Sequence, residues 1–255
     1  MLKPTSHIQA RLFSWLLALT LLAGCADADT ASSEAASDPT PTSSTPDTPT
    51  NELATDAAES DSVVVVFFGD SLTAGYGLAR PDRDGYPALL EQQWQDAGLP
   101  VRVLNAGNSG ETSAGGLRRV SWVVQRSPPD VFVLALGAND GLRGTSVEAM
   151  QENLMQTLAA VQEVNPDVEL VIAGMEALPN YGADYTSEFR AAFPEVASAT
   201  GAARIPFLLD GVAGMASLNQ ADGVHPTAEG QRTMAETVAD VVTPIVEAVV
   251  AQKAS

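Results

Sequence analysis

Apolar residues in this chain fall into short unbroken runs separated by longer stretches with helical spacing. Val63 to Phe68 (VVVVFF) is the clearest run, β-branched or aromatic throughout, and it stops at Gly69. A continuous apolar run closed by a turn signal reads as a strand buried on both faces, as in a parallel sheet. Val101–Leu104, Val131–Leu136, Val168–Ala173 and Ala203–Phe207 read the same way. Between them, Tyr86–Ala97 has helical spacing and ends at Gly98, and Ser113–Gln125 is a helix stopped by Pro128-Pro129. Ser146–Val164 carries Val147, Met150, Leu154, Leu158 and Val161 near one face and is closed by Pro166. A further helix is expected near Ser187–Thr200, and a last one from Pro226 or Thr227 to about Ala251. Strands alternating with helices predict an α/β domain of three α/β/α layers around a five-stranded, mostly parallel sheet.

The first 62 residues break this pattern. Lys3 and Arg11 precede an apolar run, Leu12–Ala23, too short to span a bilayer comfortably, which has the anatomy of a signal peptide. It ends in Leu22-Ala23-Gly24-Cys25, which resembles the lipobox of bacterial lipoproteins. The resemblance implies removal of residues 1–24 and lipidation of Cys25, with an ordinary signal peptide as the alternative. In bacteria that sort lipoproteins, the resemblance further implies, Ala26 rather than Asp after the cysteine favours the outer membrane of the cell envelope. Residues 26–62 are Ser, Thr, Pro, Ala and acids, too polar to offset the entropy of ordering, and read as a disordered tether. The folded domain is therefore expected over 63–255.

Charge narrows the partners. The chain carries a formal net charge of -19. Nine acids and no base lie in 26–62, which leaves 23 acids against 11 bases from Val63 onward. So acidic a domain is a poor match for nucleic acid or for anionic lipid, both of which need Lys and Arg. The single cysteine excludes an intramolecular disulfide. The sequence leaves the oligomeric state open, with a monomer favoured.

Candidate chemistry lies where the strands end. Gly69-Asp70-Ser71-Leu72 follows the first strand, and Asn105 to Thr112 (NAGNSGET) follows the second. Gly137-Ala138-Asn139-Asp140-Gly141 follows the third, and Asp222-Gly223-Val224-His225-Pro226 precedes the last helix. In a parallel sheet such ends share one edge, where ligands collect. Once a signal peptide is removed, His225 is the only histidine, and an imidazole with its ordinary pKa near 6.5 suits proton transfer. Asp222, three residues earlier, can bond one ring nitrogen and leave the other for a nucleophile such as Ser71. The backbone N–H groups of Ser71 and Gly110 and the Asn139 amide are candidate donors to an oxyanion. Each has a plainer reading: Ser71 as a helix N-cap, His225 as a surface or capping residue, Gly110 and Asn139 as turn residues. No phosphate-binding GxxxxGK[ST] loop is present, and clustered His or Cys ligands for a metal are lacking, so neither cofactor nor metal is expected. Asp82 and Asp84 read as a solvated loop, Trp94 and Trp122 as packing residues, Arg118 and Arg119 as helix surface.

Taken together, GDSLTAGYG, NAGNSGETSAGG, GANDGLRG and DGVHPT resemble the four blocks of the SGNH (GDSL) hydrolases, most closely their bacterial thioesterase I, arylesterase and lysophospholipase branch. The resemblance runs from Val63 to about Val250. It implies a flavodoxin-like fold and hydrolysis of carboxylic ester or thioester bonds of acyl substrates. It also implies Ser71 as nucleophile, Asp222 and His225 as its partners, and Ser71, Gly110 and Asn139 as the oxyanion hole. Leu178-Pro179-Asn180-Tyr181-Gly182 resembles that branch's substrate loop, although Glu176-Ala177-Leu178-Pro179 departs from its more basic, proline-richer form. The G-x-S-x-G elbow of α/β-hydrolases is absent, since Thr73 stands two places after Ser71. Two rival readings use the same shell: an esterase removing acetyl groups from cell-envelope polysaccharide, and a module that carries lipid without cleaving it.

Overall fold

A computed structural model describes residues 62–255. The signal segment 1–24, Cys25 and the tether as far as residue 61 lie outside the described residues. Five strands form one sheet in the order β2-β1-β3-β4-β5: β1 Val63–Gly69, β2 Val101–Gly107, β3 Val131–Ala135, β4 Glu169–Ala173 and β5 Ala203–Ile205. Every strand pair is parallel, so the sheet is parallel throughout rather than mostly so. This is the flavodoxin-like order, in which the chain reverses direction across the sheet between β1 and β3.

β1 is the centre of that arrangement. Val63, Val65, Val66, Phe67 and Phe68 are fully buried, which is what its uninterrupted apolar run requires. Phe67 meets Tyr86 edge-on and stacks over Trp94, so the first long helix, α3 (Tyr86–Asp96), is locked to the strand by aromatic contacts. α3 packs with the last helix, α8 (Ala228–Lys253). Helices α4 (Ser113–Arg126), α6 (Val147–Val164) and α7 (Ala183–Thr200) pack side by side in chain order. Trp94 donates to Thr243 Oγ1 at 3.0 Å, which satisfies its indole N–H within the α3–α8 pair.

The turn after β1, where reading Ser71 as a cap implies a helix, carries α1 (Ser71–Ala74). Two other short helices were not legible: α2 (Pro81–Asp84), and α5 (Ala138–Arg143) in the cluster after β3. Asp82 and Asp84 therefore sit in a helix, with Arg80 paired to Asp84 at 3.3 Å. Trp122 is also corrected: it is 63% exposed, with the Arg126 guanidinium 5.1 Å from its ring. No helix among the described residues is long and apolar enough to cross a membrane.

Candidate active site

Strand register assembles the site. Gly69 lies level with Gly107 on one side and Ala135 on the other, so the turns leaving β1, β2 and β3 stand together at one edge. α1 crosses this edge so closely that Gly107 has no room for a Cβ, which would run into the backbone of Ala74. Asp70 caps α1 by accepting from Leu72 N–H at 3.0 Å, and Ser71 is the first helical residue. The N-cap is thus Asp70, and the plainer reading of Ser71 as a cap does not hold.

The loop before α8 folds back onto this turn. Asn219 and Pro226 form an antiparallel bridge, and Gln220 N–H donates to His225 C=O at 2.7 Å, closing residues 220–225 into a tight loop. Thr227 caps the helix that follows. Inside the loop, Asp222 Oδ1 accepts from the N–H groups of Val224 and His225, at 2.9 and 3.0 Å. Its Oδ2 lies 2.7 Å from His225 Nδ1. The opposite ring nitrogen, Nε2, stands 3.0 Å from Ser71 Oγ. The backbone N–H of His225, its ring and Val224 N–H together hold the Asp222 carboxyl well below the usual carboxylate range. An ionised Asp222 only accepts hydrogen bonds, so it fixes the proton on Nδ1. That leaves the Nε2 lone pair toward Ser71, free to take the hydroxyl proton.

The candidate donors lie beside that hydroxyl. The N–H groups of Ser71 and Gly110 have no protein partner among the described residues. Gly110 adopts φ +79°, a conformation that favours glycine, and its carbonyl is held by Arg143 Nη2 at 3.1 Å. Asn139, in the first turn of α5, points its amide nitrogen at Asp70 Oδ2, 3.1 Å away. Ser71, Gly110, Asn139, Asp222 and His225 all line one cavity of about 570 Å³. The Tyr76 ring lies 4.6 Å from the His225 ring at its mouth.

A family model for the GDSL-like lipase/acylhydrolases matches residues 67–233, well over half of the chain. The chain belongs to this family. Esterase TesA of Pseudomonas aeruginosa is 37% identical over 193 residues, which is 76% of this chain and 93% of that protein. Thioesterase 1/protease 1/lysophospholipase L1 of Escherichia coli is 33% identical over 190 residues, covering 74% and 87%. The crystal structure of the psychrotrophic esterase EstA from Pseudoalteromonas, inhibited by monoethylphosphonate, superposes with a TM-score of 0.68 at 30% identity, over 72% of this chain and 98% of that one.

Around this GDSL-type site, several supporting residues escaped the sequence reading. Arg119 is not helix surface. Its guanidinium lies 4.1 Å from the Phe68 ring centroid, its Nε contacts Glu111 Oε1 at 3.0 Å, and its Nη2 donates to Ala106 C=O at 2.9 Å. Glu111 also accepts from Asn108 Nδ2 at 3.1 Å, so the pair clamps the loop that carries Gly110. Asp140, buried, accepts from both N–H and Oγ of Ser113, at 2.8 and 2.7 Å, and ties α5 to the start of α4. Gln231, 1% exposed, accepts from Tyr86 N–H at 2.9 Å and donates to Leu72 C=O at 3.3 Å, linking α8, α3 and the Ser71 turn. Arg118 is exposed, as expected.

Of the expected substrate loop, Leu178 lines the cavity, together with Glu176 and Ala177. Pro179–Tyr181 form a single 3₁₀ turn, and Tyr181 donates to Leu142 C=O at 3.0 Å. Pro179, Asn180, Tyr181 and Gly182 are not part of the cavity wall.

Proposed function

We propose that the protein is a serine hydrolase that cleaves carboxylic ester or thioester bonds of acyl substrates through an acyl-enzyme. One observation carries this reading: His225 bridges Ser71 Oγ at 3.0 Å and Asp222 Oδ2 at 2.7 Å inside a cavity wide enough for an acyl group. Ser71 Oγ attacks the acyl carbon and its proton passes to His225 Nε2. The negative oxygen of the tetrahedral intermediate accepts from Ser71 N–H, Gly110 N–H and the Asn139 amide. Collapse breaks the bond to the leaving alkoxide or thiolate, which takes the proton from His225. Water then attacks the acyl-serine, giving its proton to the same nitrogen; collapse of the second tetrahedral intermediate breaks the acyl–Oγ bond, Ser71 Oγ takes the proton back from His225, and the acid departs. Asp222 keeps the imidazole in the required tautomer throughout. The family membership and the esterase and thioesterase named among the relatives support the same bond classes.

The N-terminal sequence supports a second part of the proposal: lipidation at Cys25 holds the domain on a membrane of the bacterial cell envelope, the outer membrane by the residue after the cysteine, with residues 26–62 as tether. The enzyme is taken to act as a monomer. Hydrolysis of p-nitrophenyl acyl esters by the wild type and by Ser71→Ala tests the reading. Turnover should vanish in the variant with its melting temperature unchanged; retention of the wild-type rate removes Ser71 from the mechanism. A panel of acyl thioesters, lysophospholipids and acetylated sugars then separates acyl hydrolysis from polysaccharide deacetylation.

A further inference from the structure

Asp70 has no role in the steps above, yet it is fully buried beside Ser71 and its side chain reaches across to the third strand end. We propose that Asp70 is a positioning residue that turns the NH₂ face of the Asn139 amide, rather than its carbonyl, toward the reacting oxygen. The inference rests on the hydrolase reading of the site.

The argument starts from what each group can offer. A primary amide presents two donors on one side and an acceptor on the other, and either can face a cavity. If the Asn139 carbonyl faced the oxyanion, it would repel the charge the site has to hold. A carboxylate oxygen only accepts. Asp70 Oδ1 is engaged by Leu72 N–H at 3.0 Å, and Oδ2 accepts from Asn139 Nδ2 at 3.1 Å. One N–H of Asn139 is thereby fixed on Asp70, and the second remains for the cavity that both residues line. The register Gly69↔Ala135 makes the geometry reproducible, because it sets the turns after β1 and β3 side by side. The cap on Leu72 N–H stops Asp70 from rotating away.

This role runs against simple electrostatics, and that makes it decidable. A carboxyl beside a developing negative charge should slow the reaction by repulsion, so on charge alone its neutral isostere should be faster. Orientation predicts the reverse. Asp70→Asn keeps an acceptor for the Leu72 cap but faces Asn139 with an NH₂, which draws the Asn139 carbonyl toward itself and rotates the amide.

The test is a double-mutant cycle of Asp70→Asn and Asn139→Ala in the whole chain, with kcat and KM for a soluble p-nitrophenyl ester and a thermal melt for each protein. Asp70→Asn alone should lower kcat on the order of 10–100-fold. KM should stay within about threefold. In the Asn139→Ala background the same change should cost less than about threefold more, because its target is already gone. A rate equal to or above wild type for Asp70→Asn overturns the proposal. So does a full repeat of the loss in the Asn139→Ala background. If Asp70→Asn does not fold, Asp70→Ser, which can cap Leu72 N–H but cannot reach Asn139, takes its place in the cycle with the same expectations. Ser71→Ala in parallel separates the two ideas: residual turnover there overturns the hydrolase reading, whereas a dead Ser71→Ala beside an unaffected Asp70 variant overturns only the role of Asp70.

Discussion

The same Asp70→Asn variant should gain stability relative to wild type as the pH rises. Burial pushes the Asp70 carboxyl up to about 6 from an ordinary 3.8, against the pull of Leu72 N–H, the Asn139 amide and His225, and with a further push from Glu111. At 1.36 kcal/mol per pH unit, holding that group ionised in the fold costs about 3 kcal/mol once the pH is well above 6. The sign follows from proton linkage. Between 3.8 and 6 the folded state binds more protons than the unfolded chain, so the contribution of Asp70 to stability is fully present below 3.8 and is lost as the pH rises through 6. At pH 4.5 about 1 kcal/mol of the cost has already appeared, so raising the pH to 8 adds about 2 kcal/mol more. Asparagine does not titrate. The difference in melting temperature, Asp70→Asn minus wild type, should therefore grow between pH 4.5 and 8 by about 4–8 °C for a domain of this size. Taking the difference cancels the titration of groups that do not interact with Asp70. Melts followed by circular dichroism at matched ionic strength measure it. A difference that stays flat with pH, or that moves in favour of wild type, refutes the reasoning. A more stable but slower variant would show that the fold tolerates a costly buried charge for what it does at the site.

Other substitutions probe separate links. Asp222→Asn should lower kcat by up to roughly 10,000-fold, because an amide no longer forces the proton onto Nδ1 of His225; steady-state kinetics check it, and a negligible effect removes Asp222 as the orienting group. Gln231→Ala should cost about 1–3 kcal/mol in urea denaturation, since it leaves the buried Tyr86 N–H without an acceptor; an unchanged midpoint would mean that solvent or a shifted side chain replaces it.

How far the sequence spoke depended on the scale of each feature. β1 was legible because a strand buried on both faces needs apolar residues at every position, and Val63 to Phe68 supply them. The long helices were legible because α6 repeats its apolar face over five turns. α2 and α5 are only four to six residues long, too short for any period to register. Arg119 and Trp122 were misread although the signal was present. The buried face of α4 runs through Gly116, Val120, Val123 and Val124. Arg119 lies on that face at helical spacing, and Trp122, two residues past Val120, lies opposite. Residue type was allowed to outweigh position. The convergence of Ser71 and Asn139 followed from parallel topology, and His225 joins them through the loop closed by Gln220 N–H, whereas the links made by Asp70, Asp140 and Gln231 depend on which polar groups become neighbours only after folding.

The account stands on Ser71 being an activated nucleophile, and covalent labelling tests that most directly. A fluorophosphonate probe should form one adduct on the peptide containing Ser71, read by mass spectrometry, that is lost in Ser71→Ala and strongly slowed in His225→Ala. An unlabelled Ser71 in folded wild-type protein, or labelling that survives Ser71→Ala, would contradict it.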